Sequence, residues 1–176
     1  MIPISYLFEL VSQPTTRVRG ELYVLNNKKE LLVGKSFRSG NWTIPGGAVD
    51  RNESPKIAAM RETLEEVGVR VKNVTPLNKQ PHVTNYISIY GSWDNVPTGV
   101  KMWGHDKLET YSFRADFDKN DKRLWRMSRD KRSAIWVDIA EYEIYIKARL
   151  RMLKPTQKHL EVRMGHSLNM LKLLRK

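Results

Sequence analysis

At 176 residues with 40% apolar side chains the chain can bury one substantial core but not two, and having no cysteine it excludes disulfides, thiolate metal sites and a cysteine nucleophile. Lys and Arg number 31 against 19 Asp and Glu, a formal charge of +12, which favours anionic partners: nucleotides, polyphosphates, nucleic acid or acidic membranes. Any metal must be held by oxygen or imidazole, which makes a hard cation the default.

The opening MIPISYLFEL contains Glu9 and lacks both a basic leader and a long apolar run, and no later segment reaches the ~18 apolar residues of a membrane span. A soluble, intracellular (cytoplasmic) protein with no membrane attachment is expected. From Arg17 to Phe37, RVRGELYVLNNKKELLVGKSF reads as two strands around a turn at Asn26 and Asn27, because aliphatic and β-branched residues flank a turn dipeptide. Pro45, Gly46 and Gly47 follow as a loop whose backbone can approach a ligand closely.

Ser54 can cap a helix, Pro55 suits its first position and Gly68 its exit, so a helix is expected over Pro55 to Val67. At ~100° per residue Ile57, Met60, Leu64 and Val67 form an apolar stripe, with Glu62, Glu65 and Glu66 gathered opposite. A solvated acidic face is the plain explanation. Against it, Glu62 and Glu66 sit four apart and repel by ~0.2–0.5 kcal/mol. Glu65 and Glu66 also lie at the negative end of the helix dipole, which disfavours anions by ~0.3–1 kcal/mol. A divalent cation reverses both signs, and magnesium, which shares its shell with water and substrate phosphates, suits an open carboxylate cluster beside a glycine carbonyl. Arg61 can pair with Glu65 or reach back to Glu53.

Further along, VRVKNVTPL, HVTNYISIYGSW, ETYSFRADF and AIWVD carry strand-like residues between Pro, Gly, Asn and Asp. One helix among several strands makes the fold α+β, or a sheet sandwiched by helices. Ile139, Tyr142, Ile146, Leu150 and Leu153 recur at helical spacing until Pro155, and a second amphipathic stripe (Leu160, Met164, Leu168, Leu171, Leu174) runs through a basic stretch to the end. The expected division is a domain over residues 1–153 and a basic helical extension over 154–176. That extension can cover the core, pair with a second subunit as a homodimer, or grip nucleic acid.

Gly47, Glu53, Arg61-Glu62, Leu64, Glu65-Glu66, Val67, Gly68 and Val69, at these spacings, resemble the signature box of the Nudix hydrolases. Thr63 departs from it, standing where the family usually has a bulky aliphatic residue. The resemblance extends to GELYVLNNKKELLVGK, NWTIPGG and IWVDIAEY, and implies a mixed β-sheet between α-helices and hydrolysis of a nucleoside diphosphate linked to another group, a nucleotide or dinucleoside polyphosphate. By position it implies that Glu62, Glu65 and Glu66 hold Mg2+ or Mn2+ with the Gly46 carbonyl, and that Glu53 and Arg61 support the loop. A further acid from a later loop helps activate water in many members; Asp130, six residues before Trp136, is the candidate ahead of Asp121 and Glu109.

Tyr86, 18 residues after Gly68, resembles the tyrosine of dinucleoside polyphosphate hydrolases, although a strand tyrosine is more often core. Trp93, Trp103 and Trp125 lie in or beside loops where a ring can stack on a base. Seven Lys and Arg crowd the segment from Lys119 to Arg132, with Arg126 and Arg129 the candidate contacts to extra phosphates or a 5′ RNA end. An RNA 5′-end pyrophosphohydrolase is therefore the alternative enzyme. A non-catalytic nucleotide-sensing or nucleic-acid-binding regulator is the alternative of another class, and it leaves the intact glutamate set unexplained.

Overall fold

The structure is a computed structural model and describes residues 15–36, 39–102, 104–118 and 133–175. Its centre is β1 (Thr16–Leu25), which pairs in parallel with β7 (Lys107–Phe117) along its whole length, from Thr16↔Lys107 to Leu25↔Asp116. Asn26 turns the chain, its Oδ1 accepting the amides of Lys28 and Glu30, and β2 (Leu31–Lys35) returns antiparallel. The turn therefore forms where Asn26 and Asn27 predict it. Short strands β3 (Trp42–Thr43) and β4 (Gly46–Ala48) follow and pair with β2 and β1. Then come helix α1 (Pro55–Val67), β5 (Val71–Pro76) and β6 (His82–Asn85). The remaining described elements are α2 (Tyr86–Tyr90), α3 (Thr98–Lys101), β7, β8 (Ala134–Val137), α4 (Ile139–Arg151) and, after a 3₁₀ turn at Pro155–Gln157, α5 (Lys158–Leu174).

The sheet runs β3-β2-β1-β7-β5, with β8 on β2, β4 on β1 and β6 on β7. Strand alternation divides its side chains between two layers. Leu22, Val24, Leu32, Phe113 and Ala115 meet Ala59 and Val67 of α1 on one face. Tyr23, Leu25, Leu31 and Val33 meet Ile139, Tyr142 and Ile146 of α4 and Met170, Leu171 and Leu174 of α5 on the other. This is the expected α+β arrangement of a mixed sheet between helices. No helix among the described residues is long and apolar enough to cross a membrane.

The basic C-terminal helix is part of this core. Leu171 is fully buried, a gain of ~1.5–3 kcal/mol for a side chain of that size, and His159 and His166 of the same helix are buried as well. Tyr90 ties α2 to the start of α5, its hydroxyl donating to the Thr156 carbonyl at 3.0 Å and accepting the His159 amide at 3.3 Å.

Two local expectations are corrected. The segment HVTNYISIYGSW is a strand only to Asn85, whose side chain accepts the Ser88 amide and starts α2 at Tyr86. In α1 the buried residues are Ala58, Ala59, Thr63 and Val67, whereas Ile57 is 51% exposed. Distance decides this. A Cβ on Gly20 of β1 would stand 2.0 Å from the Pro55 carbonyl and 3.0 Å from the Ala59 Cβ, so helix and strand touch backbone to backbone, and only small residues fit between. Thr63 fits because its hydroxyl donates to the Ala59 carbonyl at 2.7 Å, which satisfies its one polar group inside the contact.

Candidate functional site

The rotation of α1 that buries Ala59 and Thr63 brings Glu62 and Glu66 to the edge of the packed face, over β4, rather than opposite it. The local causes are those of the sequence: the Ser54 hydroxyl accepts the Ile57 amide, Pro55 opens the helix, and Gly68 closes it in a left-handed conformation with its amide on the Leu64 carbonyl. Glu66 Oε2 accepts the Gly46 amide at 3.2 Å. The Glu62 carboxylate occupies the place a side chain on Gly47 would take, where a Cβ would lie 2.1 Å from its carboxyl carbon. Gly46 is required for a different reason: its φ is +152° and a Cβ there would meet the Gly20 carbonyl at 2.3 Å. The two glycines thus bring a strand end up to two carboxylates.

Arg61 organises the remainder. Its Nε and Nη2 donate to the two oxygens of Glu53 at 3.0 Å each, its Nη2 also to the Ala48 carbonyl at 3.0 Å, and its Nη1 to Glu62 at 2.9 Å and Glu65 at 3.2 Å. Asp50 lies 3.3 Å away. Hydrogen bonds from Arg61, working against desolvation, lower the pKa of the Glu53 carboxyl, and that of the guanidinium is raised by the same bonds. Such a fork fixes orientation as well as charge, which lysine cannot do. Arg61 therefore reaches Glu53 and Glu65 together, where the sequence offered them as alternatives.

The oxygen donors suit a hard cation. Among the described residues no three acidic or imidazole side chains converge as a closed cage. Glu62 and Glu66 instead flank the cleft at Gly46 and Gly47, with the Gly46 carbonyl facing Arg19, whose Nη2 donates to it at 2.9 Å. One or two carboxylates with water and substrate phosphates is the usual magnesium arrangement, and the residues present fit it. Glu65, 59% exposed at its side chain, stands further out.

Beside this cleft, on the sheet face covered by α4 and α5, lies a cavity of about 510 Å³ that reaches Gly46 and Glu66. Alternation along β1 sends Arg19, Glu21 and Tyr23 to this face. Glu21 Oε1 accepts from Ser112 at 2.8 Å and Tyr23 at 3.1 Å, and lies 3.2 Å from His166 Nε2. Burial alone raises the pKa of its carboxyl, but the bonds from His166 and Ser112 and the charges of Arg19 and His166 outweigh that and hold it at about 2. The His166 ring stacks on His82 at 4.3 Å.

The other predicted residues are scattered. Tyr86 is fully buried among Val96, Val100 and Leu108, in a cluster that also takes Trp93, which is the core placement weighed against its ligand role. Glu109 sits within β7. Asp130, Asp121, Arg126, Arg129, Trp103 and Trp125 lie outside the described residues. Arg19, Glu21, Arg149, Arg163 and His166 were missed by sequence reasoning. The one available signal was the pair of charges in VRGELYV, placed inward on a strand otherwise built for a core.

A family model described as NUDIX domain matches residues 15–159. An RNA pyrophosphohydrolase of Vibrio cholerae is 31% identical over 114 residues, 64% of this chain and 64% of the relative. One from Vibrio atlanticus is 26% identical over the same extent. An RNA pyrophosphohydrolase of Ruthia magnifica is 31% identical over 65 residues, 37% of this chain and 36% of its own. The chain thus spans less than two thirds of the length of each of these relatives. The crystal structure of the C. elegans Ap4A hydrolase has the same fold, with a TM-score of 0.51 at 16% identity, covering 92% of this chain and 97% of that one.

Proposed function

The chain belongs to the NUDIX family, and from that premise we propose that it is a divalent-cation-dependent pyrophosphohydrolase. Its substrate is a nucleoside diphosphate linked to another group, a nucleotide or dinucleoside polyphosphate, whose phosphate anhydride it cleaves, and its compartment is the cytoplasm. The observation that carries the reading is the Arg61 clasp, which binds Glu53, Glu62 and Glu65 in one network beside the Gly46-Gly47 strand end. A stability role alone does not explain carboxylates massed at a helix C-terminus.

Glu62 and Glu66, with the Gly46 carbonyl, would hold Mg2+ or Mn2+, with Glu65 as an outer ligand. When bound, the ion neutralises the diphosphate and lowers the pKa of a coordinated water. Arg61 and Glu53 keep the carboxylates aimed at the cleft, so little reorganisation remains when substrate arrives. Arg19, whose Nη2 donates to the Gly46 carbonyl, stands at the edge of this cleft. Asp130 is proposed as the loop acid that takes the proton from the attacking water, and Arg126 and Arg129 as contacts to the more highly charged substrates.

The test is turnover of nucleoside triphosphates, ADP-ribose, dinucleoside polyphosphates and triphosphorylated RNA with Mg2+ and in excess chelator. Turnover that survives the chelator, or none on any substrate, refutes the proposal. A second reading, action on the 5′ end of RNA, is favoured by the relatives named RNA pyrophosphohydrolase. Preference for the triphosphorylated RNA in the same screen would select it.

A further inference from the structure

Arg19 Nε, His82 Nε2 and Arg149 Nε are buried with no hydrogen-bond partner among the described residues, and all three residues line the cavity beside Gly46 and Glu66. Buried donors are nearly always paired in folded proteins, so three orphans around one void mark acceptors that a ligand brings. Arg163 of α5 lines the same cavity; its carbonyl accepts from the Ser167 hydroxyl at 3.3 Å, but its guanidinium makes no hydrogen bond or ion pair among the described residues. Burial and the neighbouring charge of Arg19 bring its pKa down to about 10, which leaves it protonated at neutral pH. Glu21 does not neutralise these arginines by direct bonding: its contacts are to Ser112, Tyr23 and His166.

We propose that this cavity is a polyphosphate site, in which Arg19 from β1, Arg149 from α4 and Arg163 from α5 bind the phosphates of the substrate beyond the pair whose anhydride is cleaved. The proposal deepens the pyrophosphohydrolase reading and rests on it for the identity of the substrate. Three planar guanidiniums suit the adjacent oxyanions of a phosphate chain, each able to accept two parallel N–H bonds. Gly46 and Glu66 line both the cavity and the cleft, so a chain anchored in the one continues to the other. At about 510 Å³ it is within the usual size of a small-molecule site. The occupant therefore has at least three phosphates, which disfavours ADP-ribose and fits a nucleoside or dinucleoside polyphosphate or the triphosphate of an RNA end.

The site is tested without metal, so that its failure and that of the catalytic reading are separable. Tripolyphosphate, pyrophosphate and monophosphate are titrated calorimetrically into the full chain in excess chelator, with Arg163→Gln, Arg149→Gln and, as a surface-charge control, Lys172→Gln. The wild type and Lys172→Gln should bind tripolyphosphate in preference to the shorter anions, and each arginine variant should bind it at least tenfold more weakly. Because Arg163 is held against a like charge, the ligand-free melting temperature of Arg163→Gln should match or exceed that of the wild type, so a loss of binding is not a loss of fold. A methylene-bridged dinucleoside tetraphosphate and a triphosphorylated oligoribonucleotide, titrated alike, identify the carrier of the chain. No saturable tripolyphosphate binding to the wild type at millimolar concentration, or equal affinity in all three variants, overturns the proposal. Binding with no turnover on any substrate would keep the site and discard the pyrophosphohydrolase.

Discussion

Replacing Gly47 by alanine should separate function from folding. The new Cβ would lie 2.1 Å from the Glu62 carboxyl carbon, against the 3.4 Å at which ordinary contact begins, a shortfall of 1.3 Å that the flexible end of the glutamate can relieve by moving. Gly47 is not among the glycines with positive φ, so the backbone accepts a side chain there. The cost is an off-rotamer Glu62 and its weakened bond to Arg61, together about 1–2 kcal/mol, or roughly 2–8 °C in Tm for a chain of this length. A catalytic group displaced by an ångström loses about 10²-fold in turnover. Urea unfolding in chelator, turnover with Mg2+ and a Mn2+ titration measure the three quantities, and metal affinity should fall with kcat. Gly20→Ala is the contrast: its Cβ would meet the Pro55 backbone carbonyl at 2.0 Å, which can move only with the whole helix, so about 3 kcal/mol or more of stability should be lost. Wild-type turnover and metal affinity in Gly47→Ala, or a stability loss equal to that of Gly20→Ala, would refute the reasoning.

The other expectations follow the same geometry. Glu66→Gln should lower kcat by orders of magnitude and leave stability in chelator equal or slightly higher, as measured by thermal unfolding, because repulsion from Glu62 is relieved while an oxygen remains for the Gly46 amide. Glu21→Gln should cost about 3 kcal/mol at pH 7: a carboxyl lowered from 4.5 to about 2 contributes stability that is fully present above 4.5 and lost as pH falls through 2. The same urea comparison at pH 3 should show less than half that difference, and a difference unchanged between the two pH values would contradict it. Asp130→Asn should reduce kcat with little change in metal affinity, and near-wild-type turnover would transfer the loop-acid role elsewhere.

The extent of α1 was legible because Ser54, Pro55 and Gly68 act within a turn of the residues they bound. Which face it buries was not legible. Hydrophobicity favours Ile57 and Leu64, but the close contact at Gly20 admits Ala59 and Thr63, and Gly20 lies some forty positions away in the sequence. The end of β6 at Asn85 was missed for a related reason, since β-branched residues outweigh an Asn85 cap in any pattern count while a single capping hydrogen bond redirects the chain. The carboxylates were readable because one helix carries them. Arg61's five acceptors were readable only in part, because Ala48 and Asp50 enter through the β4 loop. The cavity was not readable, as Arg19, Arg149 and Arg163 come from three elements far apart in the chain.

The central ladder bears on how the molecule reaches this state. Every β1 residue pairs with a partner 91 positions later, from Thr16↔Lys107 to Leu25↔Asp116. The first of these pairs must close a long loop before any neighbouring pair repays its entropy. The β1–β2 hairpin and α1 need only local contacts, so they can flicker into place first, while the parallel edge of β1 waits exposed. Such topology sets a slow search, in milliseconds to seconds rather than microseconds. During that interval an unpaired central strand, rich in aliphatic residues, is the segment from which self-association would start.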